Sequence, residues 1–186
     1  MIGFALCGSF CTHAAAIAAL EQLVHSGEHV LPILSETAAN TDTRFGSAST
    51  LEAVLTHLCG QSPIKTIPDA EPLGPAFPLE ILIIAPCTGN TLAKLAQGIT
   101  DTPVCMAAKA HLRCDRPLLI ALASNDALSG NLKNIAALLN RKNIYFVPMR
   151  QDAPADKPHS LVADFTFIPQ ALSMAREGKQ ARPLFQ

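Results

Sequence analysis

The chain has 186 residues, of which 49% are hydrophobic and 16% charged, enough apolar material for a sizeable core without metal or disulfide support. That composition excludes a disordered or solvating chain. Fourteen basic and fifteen acidic residues leave a formal net charge of -1 with no block of like charge, so neither a nucleic-acid groove nor a membrane-binding patch is expected.

Residues 2–7 form a short apolar run ending at Gly8 and read as a first strand. Residues 14–24 place Ile17, Leu20, Leu23 and Val24 at helical spacing, closed by Ser26 and Gly27. Residues 30–34 read as a second strand, and 50–58 as a helix with Leu51, Val54, Leu55 and Leu58 on one face. A weaker third strand is predicted at 64–67, and prolines at 68, 72, 75 and 78 make 68–78 a loop without regular structure. Residues 81–85 (ILIIA) are apolar throughout, as in a central parallel strand covered on both faces. Pro86 ends that fourth strand, and helices are predicted over 91–99 and 104–112. A fifth strand at 117–123, a helix at 131–139 and a sixth strand at 144–147 follow. Residues 154–158 read as a linker, 169–176 as a last helix and 179–186 as a tail. The alternation predicts one Rossmann-like three-layer α/β/α domain over residues 1–186, with right-handed crossovers and a six-stranded, mostly parallel sheet. The common strand order for such a sheet is 3-2-1-4-5-6.

In an open parallel sheet, ligands bind beyond the C-terminal strand ends where the order reverses. Gly8-Ser9 after the first strand and Cys87-Thr88-Gly89-Asn90-Thr91 after the fourth are therefore expected to face one crevice. Amides at the two helix starts, with the hydroxyls of Ser9, Thr12, Thr88 and Thr91, make an anion site suited to phosphate. Taken alone, Gly8-Ser9 also reads as an ordinary strand-to-helix turn with a serine cap. GxGxxG is absent and no acidic residue ends the second strand, where Leu34 is followed by Ser35 and Glu36. A mononucleotide therefore fits better than a dinucleotide.

The start MIGFALCGSFC lacks the basic flank of a signal peptide, so the expected compartment is the cytoplasm. Six cysteines (7, 11, 59, 87, 105 and 114) then read as reduced, mostly apolar core residues. No CxxC pair occurs, and Cys11-Thr12-His13 is too tight for zinc, so no metal is expected. Arg44, in the loop 41–46, is suited to grip a dicarboxylate, or is a solvated arginine beside Asp42. His13 stands close to the phosphate turn, where it could supply a proton or be merely exposed. Lys109, His111, Arg113 and Arg116 cluster at a helix end, where cations are favoured for structural reasons.

GFALCGSF and IIAPCTGNTLAKLAQGITDTP resemble the flavoprotein family that includes flavin-dependent cysteine decarboxylases and flavin prenyltransferases. TDTRFG, MAAKAHL, KNIYFVP and SLVAD narrow the resemblance to its dipicolinate synthase B-subunit branch, over about residues 1–179. The resemblance implies FMN, with its phosphate at Gly8 and Ser9 beside Phe10. It further implies contacts from Ser35, from Cys87, Thr88, Gly89 and Thr91, and from Asn125 at the flavin rim. Asn90 takes the place of a family asparagine that holds a substrate carboxylate; with Arg44 and Cys87 it completes the catalytic candidates.

Two departures accompany these matches. Pro72 stands where the decarboxylases place a catalytic histidine, and Ser124-Asn125-Asp126 where prenyltransferases place basic and acidic groups. The branch implies a two-component oxidoreductase that forms pyridine-2,6-dicarboxylate from dihydro- or hydroxytetrahydro-dipicolinate during sporulation. Its partner, the A subunit of dipicolinate synthase, is implied to be a dehydrogenase-like chain carrying NAD(P). A small dicarboxylate substrate and a homo-oligomer are implied as well. The alternatives are a free-standing FMN-dependent decarboxylase-like enzyme and an FMN-binding scaffold subunit.

Overall fold

Four apolar runs form the parallel centre of the sheet: β1 (Ile2–Leu6), β2 (Val30–Leu34), β3 (Leu82–Cys87) and β4 (Leu118–Ser124). Their order is β2-β1-β3-β4, in a computed structural model that describes residues 1–186. Every residue of β1, β3 and β4 is buried, because helices cover both sheet faces. Those helices are α1 (His13–His25), α2 (Glu36–Asn40), α3 (Ala48–Cys59), α4 (Ile67–Ala70), α5 (Gly89–Gln97), α6 (Pro103–Leu112), α7 (Leu132–Leu139) and α8 (Ile168–Arg176). One core cluster lies under α5, α6 and α7 through Leu92, Val104 and Ile135. The other lies under α1, α3 and α8 through Leu20, Leu55 and Leu172. The three-layer Rossmann-like architecture expected from the sequence is the one observed.

Strand counting needs correction. The expected third strand shrinks to one parallel bridge: Leu34 N–H donates to Ile64 O at 2.8 Å and Ile64 N–H to Pro32 O at 2.9 Å. Thr66 then caps α4 through the Asp69 amide, and Pro68 sits in the first helical turn, where its missing N–H breaks no helical bond. Helix nucleation thus takes residues assigned to a strand end and a structureless loop.

The sheet has seven strands, not six. β5 (Ile144–Phe146) pairs with the start of β4; β6 (Met149–Arg150) pairs with β7 (Leu161–Ala163), which runs antiparallel to Ala123 and Ser124. Strands of two or three residues are too short to leave a periodicity. The expected linker is the connection between β6 and β7. The expected tail is also ordered: Met149 N–H donates to Leu184 O at 2.8 Å and Gln186 N–H to Met149 O at 3.0 Å. The Gln180 amide accepts from Phe146 N–H at 2.8 Å and donates to Phe146 O at 2.6 Å, occupying the free edge of β5.

Side-chain caps position the loops that matter. Ser35, Ser47, Thr88 and Thr102 each accept an amide at the start of α2, α3, α5 and α6. Each is worth roughly 1 kcal/mol to its helix. The short α2, absent from the sequence expectations, exists because Ser35 closes its first turn against the end of β1, with Ser35 N–H donating to Leu6 O at 3.0 Å.

Candidate functional site

β1 and β3 are neighbours, so the turns that leave them lie side by side. Cys7 N–H donates to Pro86 O at 3.1 Å, and the Thr91 hydroxyl donates to Cys7 Sγ at 3.3 Å. The first turn is tight. A Cβ on Gly8 would stand 2.9 Å from Thr37 Cγ2, so only glycine passes under α2 without displacing that side chain.

Ser9 occupies the cap position of the 3₁₀ turn at Phe10–Thr12, yet its side chain accepts no helical amide. The ordinary serine cap expected from sequence is therefore absent. Ser9 Oγ instead accepts from Thr12 Oγ1 at 3.2 Å, and its own amide donates to Cys7 O at 2.9 Å. The amides of Gly8, Phe10 and Cys11 have no acceptor in the chain. His13 Nε2 donates to Cys7 O at 2.8 Å and its ring packs 5.2 Å from that of Phe10. Burial lowers its pKa, an effect the bond to the carbonyl opposes. His13 thus braces the end of β1 against α1.

The second turn is closed on itself. Thr88 Oγ1 accepts from Thr91 N–H at 3.2 Å and donates to Thr91 Oγ1 at 3.1 Å, which in turn points to Cys7. These hydroxyls are less available to a ligand than the sequence implied. The amides of Gly89 and Asn90 nevertheless lack acceptors in the chain, while the Thr88 amide is directed at the Cys7 thiol. Behind the turn, a Cβ on Gly89 would strike Ser124 Oγ and lie 2.6 Å from Asn131 Nδ2 and 2.7 Å from Asp126 Oδ1. Only glycine fits there.

Those three side chains form a polar chain that sequence reasoning missed. Asn131 Nδ2 lies 2.9 and 2.8 Å from the two Asp126 carboxylate oxygens, Ser124 Oγ donates to Asp126, and Asn134 Nδ2 donates to Asn131 Oδ1 at 2.8 Å. The Ser124 bond holds the Asp126 pKa below its ordinary value against partial burial, with Asn131 adding to the effect. The available signal was the run of short polar residues at 124, 126, 131 and 134 between a buried strand and a helix.

The remaining candidates divide. Ser35 lies at the same sheet edge, mostly buried, with its hydroxyl on the Ala38 amide. Asn90 and Asn125 are exposed. Cys87 is fully buried, and burial raises its thiol pKa well above 9.0, as burial pushes Cys7 up to about 12. Neither supplies a thiolate near neutral pH, so the structure removes Cys87 as a candidate nucleophile and leaves it a packing residue.

Arg44 stands in a turn closed by reciprocal bonds of 3.0 and 3.1 Å between Thr43 and Gly46, its guanidinium 4.8 Å from the centroid of the Phe45 ring. Asp42 Oδ1 accepts from the Ala48 amide at 2.9 Å, so it caps α3 rather than serving as Arg44's counter-ion. Beside this turn is a cavity of ≈ 200 Å³ whose walls include Phe10, His13, Ile17, Phe45, Leu51 and Val54. In the basic cluster at the end of α6, His111, Arg113 and Arg116 have structural partners. His111 is fully buried with Nε2 2.7 Å from Pro117 O, Arg116 donates to Leu79 O, and Arg113 stands 3.7 Å from Glu71.

Against known proteins, the chain matches the Flavoprotein family model over residues 1–165. It belongs to that family. It is 43% identical to the dipicolinate synthase B subunit of Bacillus subtilis (strain 168) over 183 residues, 98% of this chain and 92% of the relative. The crystal structure of the dipicolinate synthase B subunit from Bacillus halodurans C superposes with a TM-score of 0.91 at 40% identity, covering 100% of this chain and 95% of that one. The FMN-dependent cysteine decarboxylase SpaF shares the fold at a TM-score of 0.67 and 21% identity, over 94% and 95% of the two chains.

In this flavoprotein the unpaired amides at the starts of α1 and α5, with the free acceptor face of Ser9, fit a phosphate group. Pro72 offers only a carbonyl, which accepts from Phe77 N–H at 3.0 Å. No three His, Cys, Asp or Glu side chains are grouped to hold a metal ion, and no helix is long and apolar enough to cross a membrane.

Proposed function

We propose that this chain acts as the B subunit of a dipicolinate synthase, with a separate dehydrogenase-like A subunit, in the cytoplasm of a sporulating cell. The observation that carries the reading is its near-full-length likeness to such B subunits, in sequence and in fold. FMN is the cofactor that fits the site. Gly8, Ser9 and the Phe10 amide would take its phosphate, Ser35, Thr88 and the Gly89 amide its polar chain, and Asn125 the ring margin. Thr91 and Cys87 would support that edge from behind, through the bond from Thr91 to Cys7 and through packing. When bound, a flavin accepts a hydride equivalent.

Converting dihydrodipicolinate to pyridine-2,6-dicarboxylate removes two electrons and two protons, so the reaction needs one hydride acceptor. NAD(P) on the A subunit is the other group able to serve. Asn90, exposed on the first turn of α5, would donate a hydrogen bond to a substrate carboxylate. Arg44, without an acidic partner, supplies the cation for one. A homo-oligomer is part of this reading, supported by the exposed side chains of Phe77 and Phe185.

The test is to mix both purified subunits with precursor and measure dipicolinate. The expected result is synthesis that requires this chain; equal synthesis by the A subunit alone overturns the reading. A second reading, a scaffold that orders the A subunit without chemistry of its own, is favoured by the neutral buried thiols and by Pro72 in place of a histidine. It requires that Asn90→Ala and Arg44→Gln leave synthesis intact while loss of contact between the two chains abolishes it.

A further inference from the structure

The cavity between α1 and α3 adjoins the crevice beyond β1 and β3, sharing Phe10 and Cys11 with the phosphate turn, and it differs in kind. Its ≈ 200 Å³ falls below the roughly 300–1,000 Å³ of pockets for drug-sized ligands, so it suits one small ring and not a three-ring flavin with its phosphate chain. The walls are apolar and partly aromatic, from Phe10 and Phe45 with Ile17, Leu51 and Val54. Flat rings pack on such side chains in offset or edge-to-face geometry.

Charge selects the ligand further. No Asp or Glu lines the cavity. Arg44 does not itself line the cavity, but its guanidinium lies 4.8 Å from the centroid of the Phe45 ring, which does, and it takes part in none of the eight ion pairs of the chain. The first turn of α3 contributes Ala48 and Thr50 to the wall, but their amides are already taken by Asp42 Oδ1 and Ser47 Oγ, which leaves Arg44 as the cation nearest the space. His13 on the opposite wall has Nε2 committed to Cys7 O.

We propose that this cavity binds a single-ring aromatic carboxylate, held by Arg44 through a carboxylate and by Phe10 and Phe45 through the ring. On the functional reading above, on which this identity of the ring rests, the ligand is a pyridine dicarboxylate. Because Phe10 and His13 also follow the phosphate turn, the ring would sit next to that turn rather than within it.

Calorimetric titration of pyridine-2,6-dicarboxylate into the full chain tests this. Arg44→Gln should weaken binding about tenfold or more, the scale of a lost charge-assisted contact. Val54→Phe, which fills the cavity and leaves Arg44 in place, should weaken it comparably. The uncharged pyridine-2,6-dicarboxamide should bind at least about tenfold less well than the dicarboxylate. FMN affinity, followed by flavin fluorescence in the same variants, should hold in Arg44→Gln, which also shows that the variant is folded. No binding to the wild-type chain overturns the proposal. So does binding that survives Arg44→Gln and Val54→Phe but is lost in Ser9→Ala or Asn90→Ala, since the ligand would then lie in the crevice. Cavity binding without dipicolinate synthesis by the mixed subunits would refute the reaction and retain the site.

Discussion

The two turns beyond β1 and β3 look alike in sequence, each a glycine with a hydroxyl residue leading into a helix, yet they are built oppositely. The Gly8-Ser9 turn is open: Ser9 caps nothing and the amides of Gly8, Phe10 and Cys11 point to no protein acceptor. The Thr88-Gly89 turn is braced: Thr88 caps α5, Thr91 ties back to Cys7, and Gly89 is seated against the Ser124–Asp126–Asn131 chain. Its polar groups serve the protein first. The difference teaches that the open turn keeps amides free that an anion could take, and that the braced turn uses its polar groups to hold the neighbouring wall.

Substitution of the braced glycine should break the contrast most sharply. Gly89→Ala drives a methyl into Ser124, Asn131 and Asp126, and should destabilise the fold by roughly 2–3 kcal/mol in urea unfolding, combining overpacking with broken buried hydrogen bonds. A stability change below about 0.5 kcal/mol, the range of ordinary surface substitutions, would show that the wall is not rigid.

A smaller effect separates the hydroxyls. Thr88→Ala should cost about 1 kcal/mol by removing the α5 cap. Ser9→Ala should leave unfolding within about 0.5 kcal/mol and instead lower FMN affinity, read by fluorescence titration. Equal destabilisation by the two would erase the distinction between the turns.

The smallest expected effect is one of pH. Burial holds the folded pKa of His111 below its ordinary 6.5, helped by the Arg116 charge and opposed by donation to Pro117 O. The unfolded chain therefore takes up the proton first as pH falls. Stability from this site is full above about pH 6.5 and declines below it, and the lowered pKa of His13 acts in the same sense. Asp126 joins only in stronger acid. Its carboxylate stabilises the fold above the unfolded value near pH 3.9 and ceases to do so as pH falls through its depressed folded pKa. Between pH 7 and 5 the urea midpoint of the wild-type chain should fall more than that of His111→Gln. Parallel profiles would refute the role given to His111.

Much of the fold was legible because burial leaves a pattern. Residues 81–85 and 117–123 are apolar at every position and proved to be the two central strands. The 3-2-1-4-5-6 order survives once Ile64 is counted as a bridge on the outer side of β2. Helix starts were read late where the cap lay before the apolar face. The helix expected from 50 begins at Ala48 behind Ser47, and the one expected from 91 begins at Gly89 behind Thr88. The strands at 149–150 and 161–163 were illegible, since their pairing depends on β4 extending beyond β5.

The sequence by itself determined the layered α/β architecture and the two glycine-bearing turns, because hydrophobic periodicity and turn chemistry are local properties of the chain. Tertiary structure decided which turn is open and which is braced. Asp126 reaches Gly89 from 37 positions further along the chain, and Asp42 turns to Ala48 and leaves Arg44 without an anion. Such commitments follow from which polar atoms find partners across space, and no local pattern encodes that.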